Sequence, residues 1–229
     1  MRRVTYTLAL FSATLAAAQF STPAPGEYIG NEFSFGTLSV KADHTFKIDS
    51  SSYARTCAIE GRITNGISTI SDSTCKITFK AEGDGFIVTV NPEGNCQDFC
   101  GMNASFDGLY RKPGPLCTKS AMSRSRTIFK KDYQAKNFKA AFEALNPIAT
   151  QCLPFMDPIE AAPWVLNDLA LTQFRLGDAA ACVKTLQTLM KSSKMSDSEI
   201  REESPKTIVD SELSIARATR TNLKLCTHR

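Results

Sequence analysis

The sequence predicts an α+β chain in which an antiparallel β-meander, closing into a small barrel, precedes an α-helical part built of helix pairs. Three observations carry this. Between Gly26 and Lys112 the apolar residues alternate and are interrupted at short intervals by turn formers; at Lys112-Pro113-Gly114-Pro115 that pattern stops; beyond it apolar residues recur at helical spacing.

Strands are expected at 26–30, 36–41, 45–49, 57–63, 67–71, 75–80, 86–91 and 104–111. Ala42-Asp43, Thr64-Asn65-Gly66 and Glu82-Gly83-Asp84-Gly85 separate neighbours, because Gly, Asn and Asp tolerate bent and left-handed backbone. Short strands joined by short turns favour a meander, and closure into a barrel removes its edges; an open sandwich is the alternative. Tyr28, Phe33, Phe35, Phe46, Phe79, Phe86, Phe99, Phe106 and Tyr110 fall mostly at alternating positions and read as core, with a ligand-lined barrel mouth as their other use.

Proline fixes the chain at 113 and 115 and withholds amide donors, so the domain boundary falls between Pro113 and Ser123. Helices are expected at 127–135 and 138–149 around Lys136-Asn137, then at 164–176 and 179–191 around Gly177-Asp178. Leu166, Leu169, Ala170 and Phe174 share one helical face, and Cys182, Leu186 and Leu189 share another. Ser204-Pro205 suits the start of a last helix reaching about Leu225.

Arg2 and Arg3, an apolar stretch from Val4 to Leu15 and the small residues Ala16, Ala17 and Ala18 form a cleavable secretion signal at 1–18. The expected division is therefore signal peptide 1–18, disulfide-stabilised β domain 19–116 and helical hairpin domain 117–229. No other stretch has the roughly 20 apolar residues that cross a bilayer, so no integral membrane segment is expected after cleavage. All eight cysteines follow the signal, which places the chain in the periplasm or outside the cell with its thiols paired. Cys57, Cys75, Cys96 and Cys100 belong to the strand region and Cys117, Cys152, Cys182 and Cys226 to the linker and helices. Pairing within those sets leaves nine connectivities.

The formal charge of +4 is no nucleic-acid signature. It is unevenly divided: residues 19–118 carry eight Lys/Arg against eleven Asp/Glu, and 119–229 carry seventeen against twelve. The two halves read first as ordinary solvated surfaces; docking of one half on the other, or of the helical half on an acidic partner, is the alternative.

Asn167-Asp168-Leu169-Ala170, Phe174-Arg175-Leu176-Gly177-Asp178, Cys182 and Leu186 resemble a tetratricopeptide repeat, a family of protein-binding helix pairs, with Cys182 where Ala is usual. The segment from Tyr133 to Ile148, with Ala141 and Leu145, resembles a second copy without the turn glycine. Cys57-Ala58-Ile59-Glu60-Gly61, Cys75-Lys76-Ile77 and Cys96-Gln97-Asp98-Phe99-Cys100-Gly101 are similar to small secreted bacterial Cys-rich β-domains, a likeness that implies fold and compartment and no activity.

The chemistry available is sparse. His44 and His228 are the only imidazoles, neither lies in a nucleophile motif, and no Gly-rich phosphate loop is present, so neither a catalytic triad nor a cofactor is expected. Cys96 and Cys100 have the wrong spacing for a redox pair, lack two further ligands for zinc, and read as members of structural disulfides with their partners left open. Glu60, Asp98 and Asp107 are the carboxylates from which a hydrolase could be built. Asn103-Ala104-Ser105 is formally a glycosylation acceptor, and Trp164 reads as a packing anchor. The leading expectation is a non-enzymatic module that binds an envelope or secreted protein, in one form an inhibitor or immunity factor against a cell-wall-directed enzyme. The alternatives are a carrier with ligand inside the barrel and a carboxylate-dependent hydrolase.

Overall fold

The computed structural model describes residues 20–30, 35–52, 55–91, 94–102 and 104–227. The signal segment 1–18, Phe33, Asn103 and His228 lie outside the described residues. The chain is an eight-stranded antiparallel, nearly closed barrel followed by helices.

The strands are β1 (Gly26–Gly30), β2 (Phe35–Val40), β3 (Thr45–Ser52), β4 (Arg55–Arg62), β5 (Ile67–Thr69), β6 (Lys76–Glu82), β7 (Gly85–Val90) and β8 (Gly108–Arg111). They are ordered β4-β3-β2-β1-β8-β7-β6-β5, so every strand pairs with its sequence neighbour except β4 with β5, and β8 returns to β1. The ladder is interrupted between β4 and β5. Thr64 and Ile67 exchange backbone hydrogen bonds across a turn whose central residues, Asn65 and Gly66, both have positive φ, as a type I′ hairpin requires. After that single bridge the two strands part, leaving a seam.

Period-two alternation fills the interior. Leu38, Val40, Phe46, Ile48, Ile59, Ile77, Phe79 and Val88 are buried, while their strand neighbours Ser39, Lys47, Asp49, Ala58 and Glu60 are exposed. Tyr110 lies across the row formed by Gly30 and Gly36, which face each other in register. A Cβ at Gly30 would sit 3.0 Å from the Tyr110 ring, and one at Gly36 would sit 2.8 Å from the Ser50 Cβ. These two glycines make room for an aromatic ring within the barrel.

One end of the barrel is covered by the segment between β7 and β8. A 3-10 turn, Cys96–Phe99, is tied by Cys75–Cys96 to the start of β6, and Cys57–Cys100 ties the next residue to β4. Gly101 donates its N–H to the Thr56 carbonyl, so this segment also occupies part of the β4 edge. Ser50 Oγ donates to the Ser105 carbonyl, and Ala104 and Phe106 are buried in the core. The ordered β8 is consequently four residues long, shorter than its expected 104–111, because 104–107 serves this cover instead.

The described residues include seven α-helices: α1 (Lys119–Gln134), α2 (Phe138–Gln151), α3 (Ala161–Arg175), α4 (Ala179–Leu186), α5 (Met190–Lys194), α6 (Asp197–Glu203) and α7 (Val209–Thr227). Helices α1/α2 and α3/α4 are hairpins with the same turn, 41 positions apart. Asn137 and Asp178 cap the second helices by accepting from the N–H of Ala140 and Ala181. Their own N–H groups donate to the carbonyls of Asp132 and Gln173, both at 2.9 Å. Lys136, with φ of 61°, takes the left-handed position that Gly177 occupies at 90°. The missing glycine of the first hairpin is therefore replaced by a strained lysine and not by another turn.

Several helical bounds differ from expectation. The helix expected at 179–191 ends at Leu186, where a 3-10 turn, Gln187–Leu189, leads into α5, and α3 starts at Ala161, three residues before 164. Helix α1 starts eight residues before 127, capped by Thr118, because its polar first turns carry no apolar stripe and Phe129 is its single fully buried residue. A separate α6 forms on a reciprocal Ser196–Glu199 capping box. Ser204-Pro205 joins α6 to α7 and does not open the last helix, since the Ser204 N–H already closes α6 on the Ile200 carbonyl.

All four bridges stay within the expected sets. Besides the two in the barrel, Cys117–Cys152 closes the α1/α2 hairpin and Cys182–Cys226 joins α4 to α7. A buried polar ladder fixes α7 on α3: the Asn167 amide donates to Thr219 Oγ1 at 3.0 Å and to the Pro163 carbonyl at 3.1 Å, and the Asn222 amide donates to Asn167 Oδ1 at 3.0 Å. Between barrel and helices, Lys119 reaches Thr37 Oγ1 at 3.4 Å and Glu27 at 3.9 Å.

Candidate functional site

The first helices of the two hairpins, α1 and α3, face each other across a groove of about 200 Å³ while α2 packs behind both. Phe129, Tyr133 and Leu171 make its apolar surface; Lys130, Gln134 and Asp168 make its polar rim. Helical geometry explains the set, since 129, 130, 133 and 134 recur at three- and four-residue spacing and share one side of α1. Phe129 is buried, and Tyr133 is held between it and Phe138, with ring centroids 5.6 and 5.3 Å away.

Asp168 is the electrostatic centre of the groove. Its carboxylate accepts from Arg126 at 3.0 Å, and both side chains are only 28% exposed. Burial raises the Asp168 carboxyl above the ordinary carboxylate value, against the opposing pull of Arg126 and, more weakly, Lys130. The folded chain holds this proton more tightly than the unfolded one, so the Asp168 contribution to stability falls as pH rises from its unfolded toward its folded pKa. Arg126→Leu is expected to move the Asp168 titration midpoint further up, because burial then acts without its nearest opposing cation. A carboxyl-carbon NMR titration reads this; an unchanged or lowered midpoint would show that the ion pair does not control the group.

The structure spreads the sequence-derived carboxylates over separate local roles. Glu60 points out from β4 opposite Lys47. Asp98 is exposed and accepts from the Asn95 amide at 2.7 Å. Both Asp107 oxygens are engaged, one by the Val90 N–H at 2.8 Å and the other by Ser105 Oγ at 2.5 Å, which fastens the end of β7 to the barrel cover. His44 occupies a left-handed turn position with φ of 64° beside Asp43, which accepts from the Thr45 N–H and hydroxyl. Among the described residues no three His, Cys, Asp or Glu side chains are grouped as metal ligands, and no helix is long and apolar enough to cross a membrane. Trp164 is half-buried near the start of α3.

The barrel interior is filled by its own side chains; Leu38, Ile48, Ile77, Phe79, Phe106 and Tyr110 are all essentially inaccessible. Burial raises the Tyr110 hydroxyl well above its ordinary value, with Asp107 adding to the shift, and the hydroxyl donates to the Phe106 carbonyl. A second hollow of about 400 Å³ lies between α5, α6 and α7, floored by Met195, Ile200 and Pro205 and edged by Glu203 and Glu212, the latter already accepting from Ser204.

The α1–α3 groove was not among the sequence-derived sites. Only the shared helical face of Phe129 and Tyr133 signals it in the sequence. The partner wall, Asp168 and Leu171, comes from some 40 residues further along the chain. No protein-family model, no curated protein and no solved structure matches the chain.

Proposed function

We propose that this chain is a non-enzymatic module of the periplasm or the extracellular space that binds another protein through the α1–α3 groove. The observation that carries the reading is the groove itself: an apolar floor with a charged rim between two helices, the first capped by Thr118 and tied at its start by Cys117–Cys152, the second held on α7 by the Asn167 ladder. Pre-set geometry of this kind lowers the ordering cost of association. Four disulfides place maturation in an oxidising, extracytoplasmic compartment.

The resemblance of the helix pairs to tetratricopeptide units, a protein-binding family, supports the same reading. The 41-residue offset is longer than the tetratricopeptide period of about 34, and the proline-rich connection at 152–160 takes up the difference. An inhibitor or immunity factor against a cell-wall-directed enzyme is one concrete form. The carrier and hydrolase alternatives gain no observation of their own from the packed barrel interior or from the three dispersed carboxylates.

The test is affinity capture from envelope and secreted fractions with oxidised chain 19–229 as bait, beside the Leu171→Glu variant. A stoichiometric protein held by the first and lost by the second, at equal thermal stability of the baits, is the expected result. Equal retention by both baits, or no retained protein, would overturn the proposal.

A further inference from the structure

The charge of the helical half is concentrated on the hairpin that supplies one wall of the groove. Residues 119–151, which contain α1 and α2, carry seven Lys/Arg against two Asp/Glu, whereas 152–229 carry ten against ten. The whole +5 of the helical half therefore belongs to the first hairpin. Projected at 100° per residue, Arg126, Lys119, Lys130, Lys131 and Arg124 span the outward arc of α1 in that order, with Ser, Thr and Gln between them and no carboxylate. Lys119, Arg124, Lys130 and Lys131 are exposed, and so are Lys136 and Lys139 just beyond. Arg126 is occupied by Asp168 and Lys119 reaches Glu27, which leaves Lys130 on the groove rim and Lys131 and Arg124 beyond it to receive an anionic partner.

Size narrows the occupant. A groove of about 200 Å³ is smaller than the roughly 300–1,000 Å³ typical of small-molecule pockets. It suits one large apolar side chain set on Phe129, Tyr133 and Leu171. Resting on the groove reading above, we infer that the occupant is an acidic linear segment of a partner protein that inserts one aromatic or large aliphatic side chain between α1 and α3 while its carboxylates lie along the cationic arc of α1. Charge complementarity sets the partner's sign and the groove sets the need for an anchor. An anionic polymer or lipid surface would use the arc without the groove.

Fluorescence anisotropy with four labelled nonapeptide pools tests this on the full oxidised chain: acidic with a central Phe, acidic with a central Ala, basic with a central Phe, and neutral with a central Phe. The acidic Phe pool is expected to bind at least about tenfold more tightly than each of the others, a difference of about 1.4 kcal/mol. Its binding should weaken with added salt and fall about tenfold or more in Lys130→Glu/Lys131→Glu. Leu171→Glu should abolish it, with the fold of both variants checked by circular dichroism.

Equal binding of basic or neutral Phe pools that Leu171→Glu abolishes would overturn the acidic assignment and leave the groove reading standing. Binding of acidic pools regardless of the central residue and of Leu171→Glu would mean adsorption to the arc alone and would overturn the proposal. No pool binding, beside a captured protein that depends on Leu171, would show that the groove takes a folded surface instead. No binding in either experiment would remove both readings.

Discussion

A variant lacking both barrel disulfides, with Cys57, Cys75, Cys96 and Cys100 all replaced by alanine, is expected to lose about 6–7 kcal/mol, most of the stability of a small domain. The bridges are nested, with separations of 43 and 21 residues. Loop closure alone gives about 3 kcal/mol for the inner bridge. The outer one, with the inner in place, closes only about 22 further residues and gives about 3 kcal/mol again, instead of the roughly 4 it would give alone. The bridges also hold the cover of the barrel, where the ladder is incomplete, so their loss opens both the β4 edge and the core. The single tryptophan, Trp164, lies in α3, which separates the two parts optically. In a Tyr133→Phe background, which removes the helical tyrosine, tyrosine signals should report barrel unfolding at low denaturant while Trp164 fluorescence keeps the wild-type transition. A barrel transition within about 1 kcal/mol of wild type would contradict this account of what closes it.

Asn167→Leu is expected to cost about 2–4 kcal/mol, even though it adds apolar volume to a buried position. The Asn167 side chain is 2% exposed, donates to Thr219 and Pro163, and accepts from Asn222. Thr219 Oγ1 keeps its bond to the Ile215 carbonyl, but Asn222 loses its side-chain acceptor and holds only a 3.3 Å contact with the Asn167 carbonyl. The larger cost therefore comes from an under-satisfied amide between α3 and α7. Adding Asn222→Leu should restore part of the loss, since removing both partners costs less than orphaning one. Denaturant melts followed at Trp164 measure both variants; a double variant no better than the sum of the singles would show that packing and not hydrogen bonding sets the cost.

Much of the barrel is visible in the sequence because strands are local patterns. Leu38/Val40, Phe46/Ile48 and Ile77/Phe79 each show the alternation that one buried face requires, and Asn65-Gly66 carries the turn that joins β4 to β5. Lys136 shows the limit of reading turns from glycine: the hairpin kept its geometry because the two helices it joins, and not the turn residue, decide it. The early start of α1 was hidden by a polar sequence whose contacts lie on one buried Phe129 and a cap. Ser196 and Glu199 did carry a readable helix start, in the form of a capping box.

The groove is legible only in three dimensions. Arg126 and Asp168 are 42 residues apart, and nothing local to either says that they meet or that Asp168 is shielded from solvent. The cysteine pairing has the same character. The two sets follow from the domain boundary, while the choice among nine connectivities depends on how the 96–101 segment folds back under the barrel.

Site-specific photo-crosslinking tests the central claim most directly. A benzophenone amino acid in place of Gln134, on the rim of the groove, is compared with one in place of Lys47, exposed on the outer face of β3. With the oxidised chain in its native envelope or secreted fraction, the account predicts one discrete protein adduct from position 134, suppressed by Leu171→Glu, and none from position 47. The same adduct from both positions, or none from position 134 with a folded probe, would contradict a protein-binding groove between α1 and α3.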